Sequence, residues 1–210
     1  MTADTYPRMR ADARRNRDQI IAAAKKIFGR SGTDVPMEEI ARQAGVGVGT
    51  LYRRFPDREA LIRAVAHESF RAVLTEARAA ADEEPTAWAA LVRLLGRSRE
   101  LQLSMQLALT SRLARQVIRS DPATTEFQEA IVGELDRIVR AAQAEGSLRT
   151  DVGTGDVGVI FSMLLLSTPT VDDETADLRR SRMLALLVDG LRPGTPLPGR
   201  PITGDELVRD

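Results

Sequence analysis

With 210 residues, 43% hydrophobic and 29% charged, the chain is long enough to bury a sizeable core as one domain or two small ones. It has no cysteine, which excludes disulfides and thiolate metal sites. Its formal net charge of zero is unevenly placed: residues 1–63 carry 13 Lys+Arg against 8 Asp+Glu, a net of +5, and the remainder carries 17 against 22, a net of −5. A basic head on an acidic body is the footprint of a nucleic-acid-binding module joined to something that need not touch nucleic acid. On charge alone, a solvated arm containing Arg8, Arg10, Arg14, Arg15 and Arg17 explains the asymmetry equally well.

The apolar pattern is helical throughout, with no convincing alternating strand, so an all-α fold is expected. A first helix is predicted from Asp12 to Arg30, with Ile20, Ala24, Ile27 and Phe28 on one face and Gly32 ending it. Residues 36–59 then describe two short helices joined by a tight turn. Ile40 and Ala44 give the first an apolar stripe, Gly45 supplies its left-handed cap, and Leu51 and Phe55 repeat the spacing in the second. That is a helix-turn-helix, whose second helix enters the major groove while the first braces it against the backbone. Gly47, Val48, Gly49, Thr50, Tyr52, Arg53 and Arg54 are small, polar or basic, as groove-facing positions must be, and the glycines let the helix N-terminus approach phosphate.

A linking helix is predicted from Asp57, its N-cap, to about Ala81, carrying Leu61, Val65, Ala66, Phe70, Val73 and Leu74. Asp82 to Pro85 breaks it. Trp88, Leu91, Val92 and Leu95 begin the next segment, and Leu101 to Arg119 continues the amphipathic pattern. Asp121-Pro122 opens a regular helix carrying Phe127, Ile131, Leu135, Ile138, Val139 and Ala142, which Gly146 ends. Val157 to Leu166 is apolar nearly all round and must be buried on more than one side, and the last helix, about Thr175 to Leu191, puts Leu184, Leu187, Val188 and Leu191 on one stripe. Two such helices from each of two subunits make an apolar four-helix interface, so a homodimer is expected with those four residues in its seam; packing of both helices inside one monomer is the other arrangement. From 192 to 210 the chain is rich in Pro and Gly and poor in apolar residues, and a flexible tail is expected.

The run Ala44-Gly45-Val46, Gly49-Thr50-Leu51-Tyr52 and Phe55, followed by Asp57-Arg58-Glu59-Ala60-Leu61, resembles the TetR family of transcriptional regulators over about the first third of the chain. The resemblance implies a three-helix helix-turn-helix DNA-binding domain followed by an all-helical ligand-binding and dimerisation domain. The expected division is an arm and DNA-binding domain over 1–56, the linking helix over 57–81, an effector-binding and dimerisation domain over 82–191, and the tail over 192–210. It implies that Thr50, Tyr52, Arg54 and Arg58 hold backbone phosphates, and that Gly47, Val48, Gly49 and Arg53 lie where base edges are approached. A ligand-responsive repressor on a double-stranded, partly palindromic operator is therefore expected, with an unknown small-molecule effector. Two departures matter: Gly47 and Val48 replace a polar pair seen in many members, and Pro36 replaces a Ser or Thr N-cap, which places Pro36 in the first turn instead.

Aromatic residues are only 4%, so an effector pocket in residues 85–170 would be mainly aliphatic, with Gln102, Gln106, Thr110, Arg112 and Ser162 as its orienting polar groups. Enzyme chemistry is not expected. The single histidine, His67, sits inside the linking helix, the pairs Glu38-Glu39 and Asp172-Asp173 sit where helix starts and loops favour negative charge, and Gly45, Gly47 and Gly49 follow no strand and precede no Lys-Ser/Thr. No metal site or cofactor is expected either. The first residues lack an apolar signal core and Val157–Leu166 is too short to span a bilayer, so a soluble, cytoplasmic protein without membrane contact is expected. The alternative is a helical interaction or small-molecule-binding module without DNA binding. It would present an apolar or acidic second helix, where this chain presents arginines.

Overall fold

The computed structural model describes residues 5–96, 111–166 and 174–209, and among them every regular element is a helix. The helices are α1 (Thr5–Ser31), α2 (Met37–Gln43), α3 (Val48–Arg54), α4 (Arg58–Glu83), α5 (Ala87–Gly96), α6 (Arg112–Arg119), α7 (Pro122–Ala144), α8 (Thr154–Leu166), α9 (Glu174–Gly190) and α10 (Gly204–Arg209). They fall into two compact units, Met1–Glu68 with Leu107–Asp121, and Ser69–Gln106 with Pro122–Asp210. This division differs from the one expected: α4 contributes to both units, and α6, assigned to the body by sequence order, packs with the helix-turn-helix.

In the first unit α1 begins seven residues earlier than its apolar stripe suggests. Pro7 falls in the first turn, where its missing N–H has no partner to lose, so it does not delay the start. Ile20, Ala24 and Phe28 are buried with Ile40, Ala41, Leu51, Phe55, Leu61 and Ile62 to form the core under α3. Pro36 is the N-cap of α2, one position before the expected first turn; its carbonyl accepts from Glu39 N at 3.1 Å and Ile40 N at 3.3 Å, with no side-chain cap. At the other end Gly45 adopts φ +67, and bonds from Gly45 N to Arg42 O and from Val46 N to Ala41 O close a Schellman turn that only a residue tolerant of the left-handed region can form cheaply. Asp57 caps α4 as expected, accepting from Ala60 N at 2.7 Å.

The second unit is built on α5 against α7, with Leu91, Leu95, Ile138, Val139, Ala142, Leu148, Val157, Leu164 and Leu191 in one core. Full burial of side chains this size stabilises by about 1.5–3 kcal/mol each. Glu145, at the end of α7, accepts from Ala87 N at 2.8 Å and Trp88 N at 3.3 Å, so it caps α5 from outside, and those backbone bonds hold its carboxyl below the usual range. Arg93 of α5 meets Glu76, Glu83 and Glu84 at 2.8–3.0 Å, which fastens α5 to the end of α4. The Arg192 guanidinium stacks 3.9 Å above the Trp88 ring.

One expectation for this unit is corrected. Of the stripe expected in a dimer seam, Leu191 is 2% exposed, and Leu184, Leu187 and Val188 are half-buried and pack against the monomer core. The other face of α9 carries Leu178 and Leu186, 59% and 72% exposed, and α8 leaves Val159 and Met163 exposed, so among the described residues α8 is not covered on all sides. The flexible tail is instead a strap. Arg149 forks onto Asp151 at 2.6 and 2.9 Å and reaches the carbonyls of Gly190 and Thr195, Asp151 accepts from Leu197 N at 2.7 Å, and Asp156 accepts from Ile202 N at 3.0 Å. Helix α10 then lies on α7 and α8. Glycines admit this approach: a Cβ on Gly155 would fall 2.5 Å from Ile202 Cγ2, and one on Gly158 would collide with Leu207. Pro and Gly content predicts flexibility only where nothing distant fastens the chain, and here the fasteners lie some 46 residues upstream in sequence.

Candidate nucleic-acid interface

Helix α3 has two sides of opposite character. Leu51 and the following Phe55 are buried, which fixes the helix on the core of α1, α2 and α4. The rest of its surface, Gly47, Val48, Gly49, Tyr52, Arg53 and Arg54, is exposed, with Thr50 half-buried. Val48 and Tyr52 are 40% and 41% exposed. All seven of the residues expected on the groove side therefore lie on α3 or, for Gly47, at its N-cap.

Local bonds set their directions. Gly47 caps α3 with φ −67 and ψ 145, its carbonyl accepting from Thr50 N at 2.9 Å and Leu51 N at 3.1 Å. Arg53 Nη2 donates to Thr50 Oγ1 at 3.3 Å, which draws these two side chains to the same side. The Tyr52 hydroxyl stands 3.5 Å from Glu38 Oε1 of α2, at the outer limit of a hydrogen bond, so its polar end lies at the surface. On α2, Arg42 donates to Glu39 at 2.5 Å, and that bond holds the Glu39 carboxyl below its ordinary value. The charged residues of α3 itself are Arg53 and Arg54, and both are exposed. Lys25 on α1 is partly buried, which pushes its ammonium below the ordinary lysine value against the pull of Glu68.

Arg58, expected among the phosphate contacts, behaves differently. Its Nη1 turns inward to the carbonyls of Thr33 and Val35, the second at 2.5 Å. These acceptors belong to the loop between α1 and α2. Thr33 itself is buried, and its hydroxyl lies 2.5 Å from that of Ser111. Neither Thr33 nor Ser111 was singled out by sequence, because a buried hydroxyl pair joining residues 78 apart leaves no periodic signal.

Of the expected effector pocket, Gln102, Gln106 and Thr110 lie outside the described residues. Arg112 is exposed on the first turn of α6, in the first unit, and Ser162 of the second unit donates to Gly158 O at 2.9 Å within its own helix. Two depressions in the second unit have volumes that suit a ligand. One, about 550 Å³, lies between α7 and the strap and is lined by Glu129, Asp136, Arg140, Gln143, Thr154 and Asp205 among others. The other, about 330 Å³, is apolar, with Val159, Ile160, Leu186, Leu187, Leu197 and Ile202 in its walls. Among the described residues there is no group of three or more His, Cys, Asp or Glu placed to hold a metal ion, and no helix long and apolar enough to cross a membrane.

Comparison with known proteins addresses both units. The family model for bacterial regulatory proteins of the tetR family matches residues 20–65, and that for the C-terminal domain of SbtR-like transcriptional regulators matches residues 88–193. An uncharacterised HTH-type transcriptional regulator of Mycobacterium bovis is 32% identical over 149 residues, spanning 70% of this chain and 75% of its own length. The crystal structure of a TetR transcriptional regulator from Streptomyces coelicolor superposes with a TM-score of 0.65 at 31% identity, covering 85% of this chain and 99% of its own. That of a TetR transcription regulatory protein from Mycobacterium vanbaalenii gives 0.62 at 34% identity, covering 88% and 99%.

Proposed function

The chain belongs to the TetR family of transcriptional regulators, and on that premise we propose that this DNA-binding regulator is a ligand-responsive repressor acting as a homodimer on a partly palindromic operator. The observation that carries the reading is the two-sidedness of α3: an apolar side locked into its own unit and an outer side of glycines, Val48, Thr50, Tyr52, Arg53 and Arg54. Thr50, Tyr52 and Arg54 hold phosphates, and Gly47, Val48, Gly49 and Arg53 approach base edges. Phosphate contacts supply most of the affinity and its salt dependence; base contacts supply discrimination.

The exposed apolar residues of α8 and α9 support the dimer. A two-fold pairing through Val159, Met163, Leu178 and Leu186 takes them out of water, and a two-fold dimer reads two half-sites separated by about one or more helical turns, roughly 10 base pairs each. The seam is then the outer face of α9, with Leu184, Leu187, Val188 and Leu191 supporting it from the core. A small effector enters the helical body, and because α4 contributes to both units, a ligand that prefers a different tilt of α4 lowers operator affinity by the factor by which operator lowers ligand affinity.

The test is selection of duplexes from a genomic library by the purified protein, followed by titration across salt. The reading requires a partly palindromic selected site, a dimer by light scattering, and affinity that falls steeply with salt. A monomer at micromolar concentration, or binding insensitive to salt, contradicts it.

A further inference from the structure

Helix α6 is fastened at both ends to the helix-turn-helix unit. At its start Ser111 accepts from Ala114 N at 3.2 Å, capping the helix, and the same hydroxyl meets Thr33 Oγ1 at 2.5 Å. At its end the Asp121 carboxylate faces α4, with Arg63 Nε at 3.9 Å and His67 Nε2 in direct contact. Between the two ends Ala114, Val117 and Ile118 are buried. The contact at the start is the unusual one, because Thr33 is 2% exposed and is bonded on two sides: its hydroxyl to Ser111, its carbonyl to Arg58.

We propose that Arg58 is a positioning residue for DNA recognition, its guanidinium forming with Thr33 and Ser111 a latch that fixes the loop into the helix-turn-helix and yokes α6 to it. The inference rests on the DNA-binding function of α3 and adds a residue role to it. One nitrogen carries two N–H groups, and Arg58 Nη1 uses them on the carbonyls of Thr33 and Val35. Val35 immediately precedes Pro36, the N-cap of α2, so the loop cannot shift without moving the start of α2 and, through the close α2–α3 turn, the recognition helix. Bonds from a charged donor to carbonyl oxygens inside a half-buried site are roughly twice as strong as neutral ones. The latch therefore lowers the population of arrangements in which α3 is misplaced. A specific site, which demands one geometry, depends on that; random DNA, held by phosphate alone, depends on it much less.

The experiment compares the full-length protein with Arg58→Ala, Thr33→Val and Thr33→Ser on two probes, the duplex selected by the wild-type protein and a random duplex of equal length, across a range of salt. A latch predicts that Arg58→Ala weakens the selected duplex roughly ten-fold and Thr33→Val roughly three-fold, with random DNA changed by less than about two-fold. It predicts that Thr33→Ser, which keeps the hydroxyl, behaves as wild type, that the slope of log affinity against log salt is unchanged by Arg58→Ala, and that Arg58→Ala with Thr33→Val loses less than the product of the single losses. A phosphate contact gives the opposite: the two duplexes weaken alike and the slope falls by about 1. That result overturns the proposal. So does a lowered melting temperature with an unchanged ratio of selected to random affinity in the folded protein, which reduces the three residues to structural supports. A wild-type protein that selects no duplex overturns the DNA-binding reading, and the latch with it.

Discussion

On the recognition helix the exposed large side chains, Val48 and Tyr52, stand among glycines and next to Arg53 and Arg54. In the second unit the exposed large hydrophobics, Val159, Met163, Leu178, Leu186 and Leu197, sit on α8, α9 and the strap, and Val159, Leu186 and Leu197 line one apolar depression. Among the described residues these seven are the large apolar side chains left open to water, and they divide by the chemistry around them. An apolar group beside arginines suits the edge of a polyanion, where base methyls and phosphates alternate. Apolar groups beside one another suit another protein surface. The same quantity, exposed apolar area, thus points to different partners according to its neighbours.

The sharpest way to break the comparison is to put a charge on the outer face of α9 and another at the buried residue that follows its last turn. Leu191→Asp places a carboxylate at a 2% exposed position, and a loss of several kcal/mol, enough to prevent folding, is expected in denaturant titration. Leu186→Asp, at a position 72% exposed, is expected to leave the melting temperature nearly unchanged and to convert the dimer to monomer in light scattering. Equal destabilisation by the two substitutions contradicts the assignment of inner and outer faces.

Smaller in stability, but specific to the strap, is Gly158→Val. Its side chain meets Leu207, so a cost of about 1–3 kcal/mol is expected, with faster proteolytic cleavage after residue 192 and unchanged affinity for random DNA. Cleavage no faster than in the wild type separates the strap from this glycine. On the recognition helix, Arg54→Ala is expected to weaken all duplexes alike and lower the salt slope by about 1, whereas Arg53→Ala is expected to cost about 1–3 kcal/mol on the selected site and change the base preferred at one position. Interchange of those two behaviours reverses the roles given to them.

The smallest effect concerns acid. Arg200 first, then Thr203, hold the Glu206 carboxyl down from 4.5 to about 2, and Arg149 with the Leu197 N–H holds Asp151 below the ordinary carboxylate range. A depressed carboxylate contributes stability above its unfolded value and loses it as pH falls through its folded one. For Glu206 that window runs from 4.5 down to about 2. Glu206→Gln is expected to flatten the fall in melting temperature over that range, slightly, since the pair is solvent-exposed. Identical pH profiles for the variant and the wild type remove Glu206 from the acid response.

The helix-turn-helix was legible because its turns are local and its buried side is periodic. Gly45 and Asp57 each bond within a turn of their own position, and Leu51 and Phe55 mark the buried side of α3 by their i, i+4 spacing. Arg58 was not legible: its acceptors are backbone carbonyls, which every residue has, and the loop bearing them is 23–25 residues away. Periodicity found the apolar stripe of Leu184, Leu187, Val188 and Leu191, yet it could not say whether that stripe faces a core or a partner, because Leu178 and Leu186 make a second apolar side on the same helix. The strap escaped for a related reason. Pro and Gly describe a chain's freedom when alone, whereas Arg149, Asp151 and Asp156 decide where this one is held.

The stacking of Arg192 on Trp88 gives the protein its own optical reporter. Trp88 is the sole tryptophan, so emission excited at the red edge of its absorption comes from one ring, 3.9 Å from a guanidinium at the root of the strap. Release of the strap exposes that ring to water and shifts its emission to longer wavelength, while events confined to α3 leave it still. Stopped-flow fluorescence can therefore time the loosening of the C-terminal segment in unlabelled protein, and quenching by iodide can measure how far the ring has been uncovered.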